Sequence, residues 1–130
     1  MSLASRIADL AGRIGLEVKT KIDATHPGLA RAWVNFGYVD GQIVVRSSYN
    51  VASVTRLAYG RYRLTFATAM PDADYCWTGI ARSNNNSGTM RILIVRATTD
   101  QKTSTYVDFC CSAHDTTFAD TTEINIVVYR

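Results

Sequence analysis

The chain has 130 residues, 47% of them hydrophobic and 19% charged, with a formal net charge of +3. One domain of this length can bury about two thirds of its unfolded surface, so it needs no disulfide or metal to fold. The lysines and arginines are scattered, which speaks against a nucleic-acid face, and no apolar run approaches the roughly 20 residues of a membrane span.

The chain opens on a helical pattern. Leu3, Ile7, Leu10 and Ile14 recur at steps of four, three and four, the seam of a coiled coil, and Val18 and Ile22 follow at steps of four. The longer step relaxes the supercoil locally. A helix is predicted over 2–24, capped by Ser2 and ended by His26-Pro27-Gly28, since Pro27 disfavours helix at the residue before it. Such a helix is about 35 Å long and marginal alone in water. Its stripe needs a partner, either the body of the same chain or the same helix in other subunits. The narrow seam and abrupt exit favour the second. These six residues are the expected oligomerisation surface, and their identities leave two and three strands open. Apolar residues dispersed in this way are unlike a secretory signal, so the protein is expected to be made and folded in a cytoplasm.

From Ala32 onward the period becomes two. Eight strands are predicted, over 31–36, 42–48, 51–57, 61–67, 75–82, 89–96, 104–112 and 122–129. Tyr62, Leu64 and Phe66 alternate with Arg61, Arg63 and Thr65, one buried face and one wet face; Val107, Phe109 and Cys111 alternate with Asp108 in the same manner. Asp40-Gly41 and Tyr59-Gly60 read as tight turns, Met70-Pro71-Asp72-Ala73-Asp74 as a turn with proline preset, and 84–88, 97–103 and 113–121 as polar loops. Short strands at this spacing indicate a mainly β fold, an antiparallel β-sandwich. The expected division is an oligomerising helix over 1–26 and a sandwich over 27–130.

Catalytic constellations are missing from the pattern. His26 sits in the elbow after the helix and reads as a turn residue, and His114-Asp115 lies in a loop. No Gly-rich phosphate loop, paired Cys-x-x-Cys or histidine pair at metal spacing occurs, so no enzyme activity, cofactor or metal is expected. In a trimer, three copies of His26 near the axis could meet at a metal, an idea motivated only by position. Cys76, Cys110 and Cys111 are an odd number and read as reduced, mostly buried thiols.

One series of motifs is similar to the C-terminal domains of bacteriophage tail fibres. Ala30-Arg31-Ala32-Trp33-Val34-Asn35-Phe36 resembles their opening A(R/K)AWVNF segment. The stretch from Gly60 through Tyr62, Leu64, Phe66 and Thr68 to Met70-Pro71-Asp72-Ala73-Asp74-Tyr75 resembles their G-x-Y-x-(V/L)-x-F-x-T-x-M-P-D-A-x-Y segment, and 124–130 their closing strand. The likeness covers nearly the whole chain and is weaker over 79–121. It implies a homotrimeric virion appendage, assembled in the host cytoplasm, that adsorbs to the host surface. It supplies no catalytic residue, and it implies structural roles for Gly60, Pro71, Trp33 and Phe66.

If all strands run antiparallel, alternate loops gather at opposite ends. Loops 37–41, 58–60, 83–88 and 113–121 would then lie away from the helix, carrying Tyr38, Tyr59, Arg82, Asn84, Asn85, Asn86, His114 and Asp115. Aromatic faces beside amides and charges suit a sugar. A host cell-surface glycan such as lipopolysaccharide is therefore the expected ligand of these residues, with another tail or baseplate protein holding the helix. The competing class is a structural virion part, a connector or baseplate component that binds no receptor. A third, a depolymerase, would need clustered carboxylates that the pattern lacks.

Overall fold

The computed structural model describes residues 1–23, 25–83 and 90–130. Helix α1 runs over Leu3–Lys21, with the Ser2 hydroxyl accepting from the Ser5 amide as its cap. Eight strands follow: β1 (Ala30–Val39), β2 (Gln42–Tyr49), β3 (Val51–Ala58), β4 (Arg61–Phe66), β5 (Cys76–Ala81), β6 (Arg91–Ile94), β7 (Tyr106–Ala113) and β8 (Ile124–Tyr129). They form two four-stranded sheets, ordered β2-β1-β8-β5 and β3-β4-β7-β6, with antiparallel ladders throughout. The sandwich expectation holds in its number of strands and their direction.

Period-two alternation builds the core. Ala32, Val34 and Phe36 from β1 and Ile124, Ile126 and Val128 from β8 face Tyr62, Leu64 and Phe66 from β4 and Val107, Phe109 and Cys111 from β7. Phe36, Tyr62 and Phe109 pack as a triangle of rings, with centroids 5.4, 5.7 and 6.2 Å apart. Burial of each such ring contributes about 1.5–3 kcal/mol.

The turns follow their residues. Asp40 and Gly41 both take positive φ, 50° and 82°, as a two-residue hairpin requires. Gly60 has φ 63°, and a Cβ there would lie 2.5 Å from the Ala119 nitrogen, so glycine is demanded twice over. Asn50 crosses from β2 to β3 with φ 54°, its side-chain amide donating to the Arg31 and Thr68 carbonyls.

One sequence expectation needs correction. The Arg61, Arg63 and Asp108 face of the second sheet is only half wet: Arg61 and Arg63 are half-buried, and Asp108, Cys110 and Ser112 are buried. Residues 101–103 carry on the pairing with β7 where β6 stops, the Asp108 amide donating to the Gln101 carbonyl. Arg63 closes onto Asp108 at 2.7 and 2.9 Å, and Arg96 onto Asp100, whose carboxylate also accepts from the Cys110 thiol. Trp33, to which the resemblance gives a structural role, lies on the outer face of the first sheet, 36% exposed, because its neighbours Ala32 and Val34 point inward.

Candidate binding surface at the hairpin end

Strand β1 leaves the linker at Ala30 and reaches its hairpin at Asp40, so the sandwich has a linker end and a hairpin end. Antiparallel pairing brings the β1–β2 and β3–β4 turns, Arg82 after β5 and the β7–β8 connection to the hairpin end.

One cluster is built there. The Arg56 guanidinium lies 4.5 Å from the centre of the Tyr38 ring and 5.8 Å from that of Tyr59. Asp120 holds it in place, accepting from Arg56 Nε at 3.1 Å and Nη2 at 2.7 Å. The same carboxylate accepts from the Gly60 amide at 2.9 Å and the Tyr62 hydroxyl at 2.6 Å. Burial works to raise the Asp120 carboxyl, yet Arg56, Tyr62 and the Gly60 amide outweigh it and keep the group below its ordinary range. Burial, then the bond to Asp120, pushes the Tyr62 phenol well above its ordinary value, so it remains a donor.

The chain after Asp120 ties in more of this end. The Thr121 carbonyl accepts from the Tyr38 amide at 2.9 Å, and the Glu123 carbonyl from the Arg82 amide at 2.9 Å. Thr121 Oγ1 donates to the Arg82 carbonyl. Residues 120–123 are thus the frame on which Tyr38, Arg56 and Arg82 are mounted. Gly37 marks the crossing, since a Cβ there would strike the Thr122 carbonyl.

Of the expected site residues, the structure brings Tyr38 and Tyr59 together around Arg56. Arg82 joins them through the frame and lies 3.9 Å from the Glu123 carboxylate. His114 and Asp115 sit in the β7–β8 connection, where Asp115 accepts from the Thr117 amide and hydroxyl, a local turn bond that lowers its carboxyl pKa. Asn84, Asn85 and Asn86 lie outside the described residues. Arg56 and Asp120 escaped the sequence reading: one alternates within a strand, the other sits in a polar stretch 64 positions on, and no local signal pairs them.

At the other end of the chain, Leu3, Ile7, Leu10, Ile14, Val18 and Ile22 are 55–74% exposed, and α1 has no buried residue. A single chain leaves this stripe uncovered. His26 acts within its elbow, Nδ1 accepting from the Gly28 amide at 3.0 Å. Among the described residues, no group of three or more His, Cys, Asp or Glu is placed to hold a metal ion. The chain matches no family model, and no curated protein or solved structure matches it.

Proposed function

We propose that this protein is a bacteriophage tail-fibre or short-spike component that adsorbs to the host surface, binding a glycan such as lipopolysaccharide at the hairpin end of the sandwich. In this reading it works as a homotrimer through α1, without catalysis, and another tail or baseplate protein holds the helix. The motif series from Ala30 to Tyr75 supplies the virion context. The observation that carries the binding reading is the Tyr38–Arg56–Tyr59 arrangement on its Asp120 mount. Aromatic rings offer faces to sugar C–H groups, and a fixed guanidinium offers donors to hydroxyls or anionic substituents. Three such tips would strengthen weak single-site binding by avidity.

The test is binding of labelled protein to intact candidate hosts and to purified lipopolysaccharide. Tyr59 is 61% exposed and bonds to nothing the fold requires, so Tyr59→Ala is the clean variant. Binding should weaken about tenfold, the loss of one stacking contact of about 1.4 kcal/mol, with thermal stability unchanged. Unaltered binding in Tyr38→Ala and Tyr59→Ala would remove these residues from the site.

A second reading rests on the uncovered α1 stripe: a structural virion part held through the helix. It expects tight binding to another virion protein and none to any susceptible cell.

A further inference from the structure

We infer that the outer face of the β2-β1-β8-β5 sheet is an interface between copies of this chain, a second contact beside the helix. The inference rests on the self-association reading of α1. Register places Tyr49 beside Trp33, Trp33 beside Val127, and Val127 beside Thr78, in one row across all four strands. Tyr129 lies next to Cys76 on the same face, and Ile80 is 74% exposed. Strand β2 has no fully buried residue, and only Ile43 packs half-buried against the core. The middle of the opposite outer face, by contrast, is covered by the chain itself at Asp108, Cys110 and Ser112, although Leu57, Ile92 and Ile94 at its margins stay exposed.

Two features select a second copy as the occupant. First, the helix is short for holding an assembly alone. Nineteen residues make fewer than three heptads, and a sustained coiled coil takes about three to four. A stable interface buries about 800 Å² per partner, so the sandwich must add surface. Second, the polar atoms amid this face already satisfy one another. Asn35 donates to Asn125 at 2.5 Å, Arg46 donates to Asn35 at 3.3 Å, and Asn125 donates to Glu123 at 3.2 Å. What remains open to a partner is Trp33, Tyr49, Val127, Tyr129 and Ile80 with the small uncharged Ser47, Cys76 and Thr78, the aromatic and uncharged make-up of an interface core. Residues 42–58 contain no acid, and their two arginines are engaged, Arg46 on the Thr122 carbonyl and Arg56 on Asp120. The eight-residue edge strand β2 has neither lysine nor proline, and its one charged residue, Arg46, sits at a bulge and is turned onto Asn35 and the Thr122 carbonyl.

Cys76 provides the probe. It is exposed in the single chain, while burial pushes both Cys110 and Cys111 up to about 11 and keeps them unreactive. Full-length protein is labelled with a maleimide at neutral pH, beside a Leu10→Asp, Ile14→Asp variant, with masses from light scattering on the same samples. Assembled wild type should label at Cys76 at least tenfold more slowly than the dissociated variant. A helix variant that stays assembled with Cys76 still protected supports the proposal equally. Trp33→Lys should weaken assembly at least tenfold without changing circular dichroism, and Val127→Lys serves if that chain fails to fold. An assembled wild type that labels as fast as the dissociated chain overturns the sheet interface and leaves helix association standing. A monomeric wild type overturns both.

Discussion

The two outer faces of this sandwich begin from similar strand patterns and end differently. On the second sheet, Arg63 and Asp108 sit opposite each other on β4 and β7, and residues 95–103 and 117–119 fold back over the strands. Arg63 also lies 3.8 Å from the centre of the Tyr106 ring. The middle of that face is finished within one chain, and only its margins, at Leu57, Ile92 and Ile94, stay exposed. On the first sheet, Trp33, Tyr49, Tyr129 and Ile80 remain uncovered. The lesson is that alternation decides which side chains leave the core but not what meets them outside it. Charged outward residues became buried, and an outward tryptophan did not.

Variants can break this contrast, beginning with the closed face. Asp108→Ala should cost about 4 kcal/mol in urea unfolding, because it leaves the half-buried Arg63 without its carboxylate, opens a gap at a buried position and removes the acceptor of the Gln101 amide. A loss below about 1 kcal/mol would mean that the face is wetter than its burial indicates. Next in size is Asp120→Asn at the hairpin end. It weakens the hold on Arg56 and should cost about 3 kcal/mol and loosen glycan binding together.

Acid should also open the closed face. Burial would raise the Asp100 carboxyl, but the Arg96 side chain and amide and the Cys110 thiol bring it down to about 2. A carboxyl held below its unfolded value stabilises the fold above that value, and the contribution is lost as pH falls. The wild-type advantage over Asp100→Asn should therefore shrink between about pH 4 and pH 2, by on the order of 2 kcal/mol. Equal acid sensitivity in the two chains would remove Asp100 from the account.

The smallest effect expected is the sharpest on the bare face. In a chain dissociated by helix substitutions, Trp33→Ala should change stability by less than about 1 kcal/mol, whereas Phe36→Ala, three positions along the same strand, should cost about 3–5 kcal/mol. A large loss at Trp33 would show that the single chain already uses it.

Much of the fold was legible before any coordinates. The helix, the eight strands, the Asp40-Gly41 and Gly60 turns and the opposite faces of Cys110 and Cys111 all follow from residue spacing and turn chemistry. The candidate site was half legible. Tyr38 and Tyr59 could be placed at one end by counting strands, but Arg56 and Asp120 meet only because residues 120–123 cross the end of the first sheet at Gly37.

The sequence by itself determined period, direction of turn and which side chains leave the core, because these depend on neighbours a few positions apart. Only the tertiary structure decided which outward residues stay outside. That depends on where the β6–β7 and β7–β8 connections come to rest, and pairs such as Arg63–Asp108 and Arg56–Asp120 join residues dozens of positions apart.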